Sequence, residues 1–264
     1  MSTATTEDIR TLQETIVREL PRWIEEQPAL RQRLIEALSE APPQAEGAKP
    51  TLPRMTYEEF LEWADEDTWA EWVDGEVIVL SPASTRHQDI ADLLTSVLRM
   101  YVDSRELGRV ISAPFQMKLE RGREPDLLFV AREHLGRLLE SRLDGPADLV
   151  VEIASPDSIA RDRGEKFYEY EAGGVREYWL IDPDRRWAEF YHLGEDGRYR
   201  TAFAEAEGVY HSEVLPCFWL RVEWLWQEPL PLVEDVILEV GGEEYARWLL
   251  ERLRQRGFLP PAGE

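Results

Sequence analysis

The chain has 264 residues, 43% of them hydrophobic and ten of them tryptophan, which is ample material for a packed core and unlike any disordered or fibrous composition. Its 53 acidic side chains outnumber 30 basic ones, for a formal net charge of -23, and residues 51–226 alone hold 36 and 20, a net of -16. That balance counts against promiscuous phosphate binding, which draws on clustered Lys and Arg, but leaves room for a narrow basic groove on an acidic body. Cys217 is the only cysteine, so no intrachain disulfide forms. No apolar run is long enough to span a bilayer and no signal-type start is seen, so no membrane association and a cytoplasmic location are expected.

In chain order, Ile9, Leu12, Ile16, Leu20 and Trp23 recur at three- and four-residue spacing, and Leu30, Leu34 and Leu38 follow. Residues 1–50 therefore read as a helical N-terminal arm that runs into a linker rich in Pro, Ala and Gly. Thr56 and Glu59 form a capping box ahead of a helix carrying Phe60 and Trp63. Segments 69–73 and 76–80, joined by Asp74-Gly75, predict a tight hairpin. Ile90, Leu93, Leu94, Val97, Leu98 and Tyr101 mark a long amphipathic helix. Strands are expected near 109–112, 115–119 and 126–130, then a short helix near 133–139. A buried strand at 148–154, a helix at 162–172 and a buried strand at 175–181 come next, followed by an aromatic-rich hairpin from Trp187. Residues 227–264 form a C-terminal extension, helical over 232–256. The middle, 51–226, reads as one domain of α/β or α+β type around one mixed sheet.

Within this pattern Glu152 is anomalous. It sits in Leu149-Val150-Val151-Glu152-Ile153-Ala154, an apolar run of central-strand type, where an ionised carboxylate is costly unless it is paired or bound to a metal. The bland alternative is a solvent-facing edge position or a structural ion pair. Asp126 opens a second apolar strand after Pro125, and if the two strands are neighbours both carboxylates can converge on a hard cation such as Mg²⁺. Small Ala154, two positions after Glu152 and on the same face, leaves room for a long side chain from elsewhere, and Lys166 on the next helix can fill it. Its bland alternative is an exposed i,i+4 pair with Asp162.

These blocks resemble the Uma-two family of restriction-type endonucleases, widespread in bacteria. The resemblance spans residues 55–192 and rests on Ala70-Glu71-Trp72-Val73-Asp74-Gly75-Glu76, His87 at a helix start, Pro125-Asp126, the segment from Leu149 to Pro156, Glu165-Lys166 with Tyr168 and Tyr170, and Gly173-Gly174-Val175-Arg176-Glu177-Tyr178-Trp179-Leu180-Ile181-Asp182-Pro183. It implies a restriction-endonuclease-like PD-(D/E)XK core with Asp126 and Glu152 as metal ligands and Lys166 as the displaced lysine of the motif. Glu71 and His87 are then accessory residues of the same pocket. It further implies an endonuclease using Mg²⁺, with Mn²⁺ as a substitute, that hydrolyses phosphodiester bonds in nucleic acid, DNA first, and acts as a homodimer. A phosphate loop, a dinucleotide fingerprint and an HExxH pair are all missing from the sequence. The rival is an idle nuclease-like fold serving as a protein-binding or assembly module, which the acidic core favours. A basic rim from Lys118, Arg121, Arg123, Arg161 and Arg163 would favour the enzyme.

Overall fold

The structure, a computed structural model, describes residues 54–64, 70–79, 83–156 and 158–260. The chain divides into two compact units, Met1–Thr51 and Leu52–Glu264, and the helical arm expected over 1–50 lies outside the described residues. The second unit begins with α1 (Tyr57–Trp63). Thr56 Oγ1 accepts from the Glu59 amide at 3.2 Å and the Glu59 carboxylate accepts from the Thr56 amide at 2.7 Å, which is the expected capping box. Strands β1 (Ala70–Val73) and β2 (Glu76–Val79) pair through Asp74 and Gly75, with φ of 51° and 88°. Two successive positive φ values are what a tight hairpin of this twist requires. Helix α2 (Thr85–Arg105) starts at Ser84, whose hydroxyl accepts from the His87 amide, and buries the stripe from Ile90 to Val102.

Seven strands follow: β3 (Gly108–Ser112), β4 (Gln116–Lys118), β5 (Gly122–Arg123), β6 (Leu127–Ala131), β7 (Arg142–Asp144), β8 (Leu149–Ile153) and, after a helical segment, β9 (Glu177–Asp182). That segment comprises the short α3 (Ile159–Arg161), a π-helical turn at Asp162–Lys166 and α4 (Phe167–Gly173). Gly174 ends it at a φ of 85°, a left-handed cap that a side chain would strain. The hairpin β10 (Trp187–Leu193) and β11 (Tyr199–Glu205), the ribbon β12 (Val209–His211) and β13 (Trp219–Arg221), and α5 (Val233–Gln255) complete the unit. Helix α5 is interrupted at Gly242, whose φ of 57° and ψ of -153° are not helical.

The single mixed sheet expected from the sequence is in fact two sheets. Five strands run in the order β2-β1-β5-β4-β7 and six in the order β11-β10-β9-β8-β6-β3, beside the β12-β13 ribbon. In the larger sheet β8 and β9 are parallel and the other pairs antiparallel. The small sheet is built from strands of only two to four residues, too short for alternation to reveal their partners.

Alternation does set what each face of the larger sheet meets. Leu127, Phe129, Leu149, Val151, Ile153, Trp179 and Ile181 join the stripe of α2, together with Val236, Ile237, Val240 and Tyr245 of α5, in the main apolar cluster. Leu128, Val130, Val150, Ala154, Tyr178 and Leu180 point the other way and pack with Tyr170 of α4. Glu152, between Val151 and Ile153, therefore turns toward the π-helical turn and α4. Among the described residues no helix is long and apolar enough to cross a membrane.

Candidate active site

Glu152 is the penultimate residue of β8, paired on one side with Leu180 of β9, and its side chain is almost completely buried. Lys166 comes from the π-helical turn that faces it. Its Nζ stands 3.0 Å from each carboxylate oxygen of Glu152, 2.9 Å from Glu71 Oε1 and 3.4 Å from Asp162 Oδ1. The Asp162 contact that the sequence offered as an exposed surface pair thus exists, but both side chains are buried and the lysine is shared with two further carboxylates. Tyr170 completes the cluster by donating its phenol proton to Glu152 Oε1 at 2.6 Å.

Glu71, on β1, is fixed from behind. Arg123 of β5 donates to Glu71 Oε2 at 3.0 Å and to Glu169 at 2.9 and 2.8 Å, and reaches Glu165 at 3.4 Å. Both the Arg123 and Glu71 side chains are wholly inaccessible. Arg123 is therefore not part of a basic rim. The Gly122-Arg123 strand turns it inward, where its guanidinium ties β1 of the small sheet to α4.

Asp126 immediately precedes β6, next to β8 in the sheet. The Ile153 amide donates to its Oδ2 at 2.6 Å, and His87 Nε2 from the first turn of α2 lies 3.2 Å from its Oδ1. Its side chain keeps 19% exposure, so this is a more open side of the cluster than the Glu71 side.

Electrostatics follow from this crowding. Burial opposes charge on Lys166, yet Glu152, Glu71 and Asp162 around it hold the ammonium protonated well above the ordinary lysine range. Burial drives the Glu152 carboxyl well upward; Lys166 opposes this, while Asp162, Asp126 and Glu71 add to it. Burial also raises Asp162, against the pull of Lys166. For Glu71 burial works upward, but the charges of Lys166 and Arg123 win and lower it. Nearby Glu124 is pushed up to about 7 by burial, with its Gln116 hydrogen bond pulling down and the Glu71 charge pushing up. His87 is raised: burial opposes the charge, but its contact with Asp126 prevails.

The structure brings Glu71, Glu152 and Lys166 into direct contact and joins His87 to Asp126. It does not gather Asp126 and Glu152 into a ready metal cluster: among the described residues no three His, Cys, Asp or Glu side chains are grouped to hold an ion. Sequence reasoning gave Asp162 only an idle role, offered Arg123 only as one member of a conditional basic rim and assigned Tyr170 no contact. The four-residue spacing of Asp162, Lys166 and Tyr170 was the available signal, since it lines one helical face with polar groups opposite a buried strand.

Three further members of the basic rim that would favour nucleic-acid access are also engaged within the fold, and Arg161 is not among them. Arg121 pairs with Asp74, Arg163 with Glu189 at 2.7 Å, and Lys118 lies over the rings of Tyr57 and Trp72 at 4.4 and 4.5 Å.

Residues 57–223 match the model of the Uma2 family, whose description is "Putative restriction endonuclease". A Synechocystis protein named only as uncharacterized is 26% identical over 150 residues, covering 55% of this chain and 78% of that one. Among solved structures, one titled as "a putative nuclease belonging to DUF820" from Anabaena variabilis superposes with a TM-score of 0.57 at 19% identity, over 65% of this chain and 97% of that chain. At that identity the likeness is one of fold, and it matches the mixed α/β architecture described above. The family match covers more than half of the sequence, and the chain belongs to the Uma2 family of restriction-endonuclease-like proteins.

Proposed function

We propose that the protein is a metal-dependent endonuclease that hydrolyses phosphodiester bonds in DNA, with Asp126, Glu152 and Lys166 as its catalytic residues and Glu71 and His87 in support. The observation that carries this reading is the seating of Lys166: a lysine from a helical turn reaches a strand carboxylate in a buried cluster. An isolated structural ion pair needs one carboxylate for one ammonium. Here Glu71, Asp126, Glu152 and Asp162 face Lys166, His87 and an Arg123 already shared with Glu165 and Glu169.

Hard oxygen donors in excess of local positive charge suit Mg²⁺ or Mn²⁺, and Asp126 and Glu152 are the residues that would hold the ion. When bound, such an ion supplies charge neutralisation at the phosphate and a more acidic water. The protein's own part is positional. The Ile153 amide and His87 fix the Asp126 carboxylate, and Arg123 fixes Glu71, which with Glu152 aims the Lys166 ammonium. That ammonium orients the attacking water and meets the negative charge that develops on phosphate oxygen. Arg161, partly exposed and close enough for its charge to help lower Glu71, would meet the nucleic-acid backbone in this reading. In a homodimer two such sites would address the two strands of a duplex.

One observation favours a second reading, a nuclease-like fold used as a protein-binding module: Arg121, Arg123 and Arg163 spend their charge inside the fold. Incubation of supercoiled plasmid, single-stranded DNA and RNA with the protein and Mg²⁺ separates the two. The nuclease reading expects nicked and linear plasmid with 5′-phosphate ends, and arrest by a chelator. Folded protein that leaves all three substrates intact in both Mg²⁺ and Mn²⁺ contradicts it and leaves the module.

A further inference from the structure

We propose that Tyr170 is a positioning residue that presents one oxygen of Glu152, Oε2, to the divalent ion, a role that rests on the metal-dependent reading above. A carboxylate oxygen has two lone-pair directions. Glu152 Oε1 fills both, accepting from the Tyr170 phenol at 2.6 Å and from Lys166 at 3.0 Å. Among the described residues Oε2 accepts from Lys166 alone, also at 3.0 Å, which leaves its second direction without a donor from them. The two donors thus break the symmetry of the carboxylate and dispose it to single-oxygen ligation instead of a grip through both oxygens.

Packing says that the hydroxyl is there for Glu152. Tyr170 is completely buried, with its ring edge-on to Tyr178 at 5.3 Å. A phenylalanine would fill the same apolar space, and a buried hydroxyl is costly unless it finds a partner. The partner it finds is the carboxylate of the site. The ring is also held in place: Tyr178 donates to the Asp162 carbonyl at 3.1 Å, tying β9 to the π-helical turn that carries Lys166. Such turns insert a residue into the helical count and recur at functional sites. In this turn and α4, Asp162, Lys166 and Tyr170 stand four residues apart on the side facing β8.

The test is calorimetric titration of Mn²⁺ into the full chain and three variants, with thermal unfolding of each. Tyr199→Phe is the structural control, because Tyr199 also packs against Tyr178 and donates a partly buried phenol proton, but to the Val175 carbonyl at 2.9 Å and not to Glu152. The proposal expects the parent to bind, Glu152→Gln to lose binding, and Tyr170→Phe to bind about tenfold or more weakly, the usual cost of removing a group that orients a metal ligand. Tyr199→Phe should bind as the parent does. Equal Mn²⁺ affinity for Tyr170→Phe and the parent overturns the role of Tyr170 while sparing the metal site. Equal weakening in Tyr170→Phe and Tyr199→Phe also overturns it, since the effect is then general loosening. A folded parent that binds no Mn²⁺ overturns the metal-dependent reading and this inference together.

Discussion

Lys166 keeps its charge out of water only because Glu152, Glu71 and Asp162 surround it. Removing one member of such a buried set leaves the others uncompensated, a loss of about 3–5 kcal/mol. Lys166→Met should therefore unfold at a markedly lower temperature than the parent by circular dichroism, and an unchanged midpoint would show that the cluster is not charged as described. Much of this site was legible before any coordinates. A glutamate inside an apolar strand and an alanine two residues later announced a missing partner, and Lys166 was the lysine that could supply it. Arg123 was not legible, because an arginine in a charged loop reads as surface; only the pairing of Gly122 with Trp72 turns it inward. For Tyr170 the four-residue spacing from Asp162 and Lys166 was a signal of face, but spacing alone does not name Glu152 as the group that its phenol meets.

At the level of elements, polar contacts hold α4 and the strands around it. Glu171 of α4 accepts from the Tyr199 amide of β11 at 2.6 Å and from Arg198 at 2.7 Å. Burial works to raise its pKa, but these donors outweigh burial and lower it below the ordinary glutamate value. A depressed folded-state pKa gives stability that is present above the unfolded value of roughly 4.3 and is lost as the pH falls through the folded one. Glu171→Gln should thus cost on the order of 1 kcal/mol at neutral pH, and the difference from the parent should close in acid below pH 4. A gap that persists at pH 3 would mean that the ionised form is not what matters. Between β3 and β6 the constraint is steric. A Cβ on Gly108, whose φ is +156°, would come 2.1 Å from the Val130 carbonyl oxygen. Gly108→Ala should cost roughly 1–3 kcal/mol, read from a urea melt, and a variant as stable as the parent would show that the two strands can part. The hairpin at Asp74-Gly75, the stripe of α2 and the two buried strands were readable from turn chemistry and period alone. The division into two sheets was not, because β4, β5 and β7 are too short to display a period.

For the whole molecule, charge is the governing fact. A net charge of -23 with most of the arginines around the site internally paired leaves few cations for phosphates. Each phosphate contact contributes about 0.9 to the slope of log affinity against log salt. Binding of the duplex should therefore show a slope no steeper than about -3 in fluorescence anisotropy, and a slope near -8 would contradict this and point to an extended basic surface. Recognition of substrate then rests on the site itself, which makes the carboxylates the point of attack. The most direct test is single-turnover cleavage of plasmid DNA in Mg²⁺ by the parent, Asp126→Asn and Glu152→Gln, with circular dichroism confirming that all three fold. The account predicts cleavage by the parent and a loss of at least a hundredfold in each variant, in line with the removal of a charge that stabilises a transition state. Folded variants that cut as fast as the parent would contradict it and place the chemistry elsewhere in the chain.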